Sequence, residues 1–373
     1  MKKYDVLIVG GGLAGLTAAN ALARLGYGVL VYEAKPYPHH KVCGEYVSNE
    51  VLPYLKTLGI DLLKLGGVPI TTFEISTLNG HKTSVPLDLG GTGISRYALD
   101  NILYKEALSQ GVNFLFEKVS DIQCKTDEFL VTSDNHTLKA NMVIGAYGKR
   151  SSLDKALKRD FIGVKNSWLA VKSHYRNDDF PNDVVALHNF KGGYGGLSKT
   201  ETGAVNFCYL AHYESFKKCN TIEEFNTKEV SKNKHLQQFL DSSEPIFEKP
   251  LSIAQISFHK KEPVVNHVLM CGDTAGLIHP LCGNGMAMAI HSAKLAAECI
   301  HAYFQHKGVG RKHMEQEYCR IWNSNFKNRL WYGRNLQYIL LHKNIMNLGL
   351  KTIGKSDYLL KSIIKKTHGN GII

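Results

Sequence analysis

The chain is 373 residues long, 44% hydrophobic and 21% charged, and carries a formal net charge of +12. Its length allows roughly two to three domains around a large buried core, and its composition is that of an ordinary soluble globular protein. The positive balance fits nucleic acid, an anionic membrane surface, an acidic substrate or a merely solvated basic surface, and the lack of aromatic–basic interleaving or any nucleic-acid module ranks nucleic acid last.

In chain order, Lys2 and Lys3 precede an apolar run too short for a signal peptide, and it leads into a glycine turn that cleavage would destroy. Residues 6–9 read as a strand ending in Gly10-Gly11-Gly12-Leu13-Ala14-Gly15. A small-residue helix follows to about Leu25, and a second strand, Val29–Tyr32, closes on Glu33. This strand–turn–helix–strand unit is built to grip a dinucleotide. Gly10 permits the tight turn, Gly12 lets the backbone approach a pyrophosphate, and Gly15 allows close helix–strand packing. The helix N-terminus offers free N–H groups to phosphates. Glu33 is placed to accept hydrogen bonds from ribose hydroxyls.

Residues 50–65 carry apolar side chains at helical spacing. Residues 70–87 alternate as two strands around a turn at Asn79-Gly80. A helix is expected over 97–109, opened by Ser95-Arg96, with strands near 113–116, 121–124, 129–133 and 142–144. From about 165 to 255 the chain is rich in short strands and turns, interrupted by a helical patch at 222–239. A buried strand at 268–271 runs into Gly272-Asp273, and a long small-residue helix covers about 285–303. No internal repeat or low-complexity linker is present, and nothing approaches the roughly 18 uninterrupted apolar residues of a transmembrane helix. The eight cysteines are scattered without a C-x-x-C pair, which fits a reduced cytoplasm. The expected fold class is α/β (α+β). A discontinuous Rossmann-like nucleotide domain (1–70, 95–160 and 255–305) is interleaved with an antiparallel β-sheet substrate domain (71–94 and 161–254), and a helical, basic C-terminal tail (306–373) follows.

The segment GDTAGLIHPLCGNG at 272–285 is the second informative one. Asp273, just past a buried strand, can accept hydrogen bonds from a polyol. Pro280 fixes the loop, and Gly283-Asn284-Gly285 opens a helix. Together with the first motif, this segment resembles flavoproteins of the para-hydroxybenzoate hydroxylase fold, whose carboxy-proximal motif is G-D-A-A-x-x-x-x-P-x-x-G-x-G. An arginine ahead of an L-D-x-x-L helix, another element of that family, matches Arg96 before Leu99, Asp100 and Leu103. The resemblance implies an FAD cofactor. Glu33, with Ala34 beside it, would hold the AMP ribose, Asp273 the ribityl chain and Arg96 the pyrophosphate side. Gly285 and Met286 would approach the flavin ring. Gly10, Gly12, Leu13, Ala14, Gly15, Cys43, Gly44, Val119, Pro280 and Gly283 complete the expected cofactor surroundings.

Within that fold, Lys41-Val-Cys43-Gly44-Glu45 resembles the cysteine–glycine–glycine segment of geranylgeranyl reductases, which lies over the flavin. Glu45 replaces the second glycine and is either a proton donor or one half of a loop ion pair. Cys43 is a near-flavin thiol or an inert buried cysteine. Gly193-Tyr194-Gly195-Gly196-Leu197-Ser198-Lys199 lines up with the reductases' G-Y-x-W-x-F-P-K segment. It lacks the bulky residues, and its Tyr194 is a substrate contact or a core aromatic. Residues 144–151 align with the hydroxylases' G-A-D-G-x-x-S segment, with Tyr147 in place of the aspartate, and Lys149 and Arg150 could meet a nucleotide phosphate. No second G-x-G-x-x-G exists, so NADPH or NADH would visit transiently. The W-x-W-x-I-P segment of flavin-dependent halogenases is missing.

Two reactions fit the resemblance. One is NAD(P)H-driven hydroxylation of an aromatic or lipid-tailed phenol. The other is hydride addition to a carbon–carbon double bond, with Glu45 or Tyr194 completing it as acid, so that Cys43, Glu45 and Tyr194 form the catalytic set. A flavin-containing binding protein without turnover is a third reading. The substrate is expected to be small and hydrophobic, with no nucleic-acid partner, no metal and an open oligomeric state. Among the histidines, His39 and His40 precede the flavin-facing segment and His279 adjoins Pro280, whereas isolated ones such as His188 and His291 are usually structural. From Trp331 onward, apolar residues recur at helical spacing among Lys343, Lys351, Lys355, Lys361, Lys365 and Lys366, with Asp357 the only acid. Such a stretch lies on an anionic membrane surface or packs on the domain with its lysines solvated. A cytoplasmic location, peripheral to the inner face of a membrane in the first case, follows.

Overall fold

Strand Lys3–Val9 has Val6, Leu7 and Ile8 wholly buried in succession, as befits a parallel strand covered on both faces. The computed structural model describes residues 3–163, 167–306, 308, 310–341 and 357–373. Lys3–Val9 pairs in parallel with Val29–Tyr32 on one side and Thr137–Gly145 on the other. Asn113–Leu115 extends the sheet beyond the first neighbour and Val268–Met270 beyond the second, again in parallel. Helix Leu13–Arg24 packs against helices Arg96–Ser109 and Gly285–Gln305, sealing Leu16, Leu22, Leu99, Leu103 and Ile290 into one core. Because these strands run the same way, Val9, Tyr32, Gly145 and Met270 end at one edge, where α/β sheets bind ligands.

The second sheet is mostly antiparallel. Trp168–Arg176, Val205–His212, Gly193–Lys199 and Val184–Phe190 are successive neighbours. Val184–Phe190 then pairs in parallel with Val68–Ser76, which turns through Gly80 (φ 75°) into Lys82–Gly93. The short strand Tyr46–Ser48 adds to that edge by pairing with Lys82–Gly93. The chain therefore crosses from the nucleotide sheet into the second sheet immediately after Glu45.

Two expected helices are shorter than their periodicity suggests. In the 50–65 stretch, the α-helix covers Leu52–Thr57 and stops where Gly59 adopts φ 79°. The 222–239 patch splits into Ile222–Lys228, a 3₁₀ turn at Val230–Lys232 and Lys234–Asp241. Asn233 makes the break. Its amide donates to Ser76 Oγ, Thr77 O and Asn189 O on the sheet, and its Oδ1 caps the next helix at His235 N.

Helix Arg311–Leu341 follows the nucleotide core, and a last helix, Asp357–Thr367, packs on it and on strand Lys82–Gly93. The end of the chain is fastened at Glu50, whose carboxylate takes Arg329 at 3.1 Å and the Gly369 N–H, while its carbonyl accepts from Ile372 N at 2.8 Å. Lys343, Lys351 and Lys355 lie outside the described residues. Among the described residues no helix is long and apolar enough to cross a membrane.

Candidate functional site

At the carboxyl edge of the first sheet, Gly10 adopts φ 106°, and any Cβ there would collide with the Ala146 carbonyl. A Cβ on Gly15 would strike the Gly10 carbonyl, so Gly15 lets the helix lie against the turn. Gly12 is different: the nearest atom to a Cβ would be Arg96 Nη2, 3.8 Å away. Its bare backbone faces open space, and no side chain caps the helix that begins at Leu13. The first N–H groups of that helix are left for an anion. Glu33 is held ready beside them, with Oε2 accepting from Gly11 N at 3.0 Å and Oε1 from Ala34 N at 2.9 Å.

Arg96 projects from the start of its helix, which Ser95 caps at Ala98 N. Its guanidinium donates to both oxygens of Asp100, at 2.7 and 2.8 Å, and Lys41 reaches the same carboxylate at 3.1 Å. Burial pushes the Asp100 carboxyl upward, but Arg96 and Lys41 prevail and hold it below its usual range. On the far side, Asp273 sits in a 3₁₀ turn after Val268–Met270. The buried Lys261 ammonium donates to Asp273 O and Lys149 O at 2.8 and 2.9 Å, and burial lowers its pKa to about 8. Gly283 (φ 62°) closes the Pro280–Cys282 turn ahead of helix Gly285–Gln305.

These elements surround a cavity of about 830 Å³. Gly10, Gly12, Leu13, Ala14, Glu33 and Ala34 line its nucleotide end together with Arg96 and Val119. Cys43, Gly44, Asp273, Pro280, Gly283, Gly285 and Met286 line it further along, while Gly15 lies behind the turn. The cavity then runs onto the second sheet, where Phe73, Ile75, Leu187, Leu210 and Ile253 make an apolar chamber. Leu360 and Ile364 of the last helix close it. Their helical spacing marks an apolar face in the sequence, but nothing there places it against this sheet, which it meets from the other end of the chain.

Tyr194 faces this chamber from strand Gly193–Lys199, its hydroxyl 3.2 Å from His279 Nδ1. Burial pushes the imidazole of His279 down to about 3, so it is neutral and shares one hydrogen with the phenol. Tyr147 also lines the cavity, but its hydroxyl is directed at Met270 Sδ, 3.8 Å away.

Of the two readings open for Glu45, proton donor or half of a loop ion pair, its geometry is that of the pair. The residue is wholly buried at φ 55°, in the left-handed region where the reductase pattern has glycine. Oε1 accepts from the buried Lys172 ammonium and, at 2.7 Å, from Arg96 N. Oε2 lies 2.7 Å from His174 Nε2. Burial raises the carboxyl's pKa, yet His174 and Lys172 together hold it below the usual range. Glu45 is thus an ionised anchor with no proton to give. Its backbone N–H points at Cys43 Sγ (3.5 Å), and Asn206 donates to Cys43 O at 3.2 Å, so the Cys43-Gly44 turn is pinned at the cavity wall.

Lys172 and His174, two residues apart on one strand, were invisible as site residues in the sequence. Only the strand's alternation, which sends both to one face, hinted that they share a target. His40 meets His174 edge-on and lies tilted against Phe247, and its pKa falls to about 4 through burial and the Lys172 charge. Ligating atoms of His40, Glu45 and His174 lie within 4.8 Å of one another, but the Lys172 ammonium already neutralises that carboxylate. His39 bonds Pro36 O at 2.9 Å. His188 joins Ser76 Oγ at 2.9 Å in the buried network of Asn233, and His291 packs edge-on against Phe326; neither lines the cavity.

The sequence model of the FAD binding domain family matches residues 3–313. The chain is similar to a digeranylgeranylglycerophospholipid reductase of Methanosarcina mazei, 23% identical over 389 residues that cover 97% of this chain and 89% of that protein. In three dimensions it superimposes on the flavin-dependent brominase Bmp2 with a TM-score of 0.80 at 16% identity, covering 98% and 93% of the two chains. A geranylgeranyl bacteriochlorophyll reductase-like protein of Thermoplasma acidophilum gives a TM-score of 0.74 at 18% identity, covering 99% and 93%. At such identities the likeness concerns the fold.

Proposed function

The chain belongs to the FAD binding domain family and is a FAD-dependent oxidoreductase, and on that premise we propose that it is an NAD(P)H-driven monooxygenase hydroxylating an aromatic substrate, a lipid-tailed phenol above all. The residues present suit the cofactor. The open backbone at Gly12, the uncapped helix behind it and the pinned Glu33 would hold its phosphates and adenosine ribose, and Asp273 its ribityl chain. Bound and reduced, FAD supplies the electrons by which O₂ yields one hydroxyl group on the substrate and one water.

The observation that carries the choice is the commitment of Glu45 to Lys172 and His174. Hydride addition to a double bond needs an acid to complete it, and this carboxylate has none to give. Hydroxylation asks the protein for something else: a dry chamber, a fixed ring and a partner for the phenol oxygen. The apolar walls exclude water, the Tyr194 hydroxyl beside His279 can orient a substrate phenol, and the chamber beyond it takes an apolar tail. Lys149 and Arg150, both at the cavity wall, are the proposed landing point for the nucleotide reductant.

A double-bond reductase is the second reading, favoured by the near full-length similarity to the Methanosarcina mazei enzyme. In that case Tyr194 must deliver the proton. The test is anaerobic mixing of the yellow protein with NADPH or NADH, then admission of air with an alkylphenol or a prenylated lipid present. Flavin bleaching, substrate-dependent oxygen uptake and a product heavier by one oxygen support the hydroxylase. A product heavier by two hydrogens, with no oxygen demand, replaces it with the reductase. Flavin that never bleaches overturns both.

A further inference from the structure

The last helix closes the apolar chamber with one face and presents charge with another. Leu360 and Ile364 line the cavity, whereas Lys365 and Lys366 of the same helix are exposed. Beside it, helix Arg311–Leu341 exposes Lys327, Trp331 and Arg334, at the i, i+4, i+7 spacing of a single stripe. The two helices pack side by side, with Lys366 Nζ 5.4 Å from the ring of Tyr332. Large apolar groups are exposed as well: Trp331 is 54% exposed and Ile373 82%. Leu89, next to the Asp88 that meets Lys361 at 3.2 Å, is a third exposed one. From residue 318 to the end the sequence holds ten lysines and arginines and one acid, Asp357.

We propose that this face docks on an anionic phospholipid bilayer, lysines and arginines against the phosphates and Trp331, Leu89 and Ile373 at the headgroup boundary. A bare cationic surface would serve a nucleic acid equally well. Exposed tryptophan and aliphatic side chains within the charged field, directly over the closure of an apolar chamber, select a lipid surface instead. The exposed Lys361–Asp88 pair is weak enough for a lipid phosphate to take Asp88's place. Docking would set the helix that closes the chamber against the source of a lipophilic substrate. That use rests on the proposed lipid-tailed substrate, but the docking itself does not.

The experiment is flotation of the FAD-loaded full chain with phosphatidylcholine vesicles, with and without phosphatidylglycerol, no substrate being present. The protein is expected to float with the anionic vesicles only and to be released by salt. Lys327→Glu, Lys365→Glu and Lys366→Glu together should lower partitioning by about a hundredfold, with flavin absorbance and unfolding transition unchanged. Should that variant fold poorly, Trp331→Phe decides: the wild type's fluorescence blue shift on anionic vesicles must be reduced in it. Absence of flotation with either vesicle, flotation indifferent to lipid charge, or binding to duplex DNA with none to vesicles would overturn the proposal. Because no turnover is read, failure here leaves the hydroxylase reading intact, and the converse holds.

Discussion

The Glu45 carboxylate and the Lys172 ammonium meet with neither side chain touching solvent, across 127 positions of sequence. The pair ties the turn of Cys43 and Gly44 to the second sheet. Removing one partner of a buried ion pair costs about 3–5 kcal/mol, while replacing both with neutral groups is often tolerated. Lys172→Met should therefore lower the unfolding free energy by about that amount. The double variant Glu45→Gln/Lys172→Met should regain much of the loss. Denaturant titration of the flavin-loaded protein checks this, and equal losses in the single and double variants would refute it.

Two glycines of the nucleotide turn should separate folding from cofactor binding. Gly15→Ala places a methyl group against the Gly10 carbonyl and should destabilise the protein with or without FAD. Gly12→Ala meets only open space and an arginine tip, so the cofactor-free protein should unfold as before. FAD affinity should nonetheless fall by about tenfold or more, because the methyl fills the approach to the pyrophosphate. Equilibrium flavin fluorescence and thermal unfolding, run side by side, give the comparison.

Acid should destabilise this fold in two stages. Burial pushes His188 and His279 down to about 3 and His291 to about 4, below the ordinary value of about 6.5. The unfolded chain then binds more protons over that interval, so stability is complete above about pH 6.5 and falls as pH drops. Each such imidazole adds a slope of about 1.4 kcal/mol per pH unit. Glu45, held below the carboxylate range, acts in the same direction below about pH 4.5. Unfolding midpoints should hold from pH 7.5 to about 6.5 and decline steadily from there to pH 4; a profile flat throughout would contradict the buried neutral imidazoles.

Tyr194→Phe distinguishes the reactions. If the phenol only orients a substrate hydroxyl, turnover should fall by about fivefold, the worth of one neutral hydrogen bond. If it is the proton donor of a double-bond reduction, the loss should reach about a hundredfold or more. The proposed hydroxylase requires the smaller effect, with oxygen uptake still coupled to substrate.

What the sequence disclosed depended on distance along the chain. The Gly10–Gly15 turn, Glu33 and the Asp273–Gly285 segment are local constellations whose geometry follows from a strand, a turn and a helix, and Gly10, Gly12, Glu33, Asp273, Gly283 and Gly285 reach the cavity wall. The role of Glu45 was open because its partners, Lys172 and His174, come from a strand more than a hundred residues away. A lysine and a histidine in a β pattern carry no mark of what they will face. The 222–239 stretch misled for a related reason: helical periodicity survives through it, but Asn233 finds better hydrogen bonds on the sheet than in a continuous helix. Leu360 and Ile364 were legible as one apolar face, though not as the roof of a chamber formed by strands far upstream.

Glu50 lies only five residues beyond the anchored turn, yet it also receives Arg329 and the final residues of the chain. Among the described residues, the roof of the chamber is thus fastened at Glu50 just beyond the last helix and through the surface pair Lys361–Asp88. Such an arrangement favours opening as a unit, with the terminal helix lifting away by local unfolding while both sheets stay intact, at a free energy well below that of global unfolding. In hydrogen exchange, the amides of residues 357–367 would form one cooperative group, exchanging faster than those of strand Lys3–Val9 and slowed when a ligand fills the chamber beneath them.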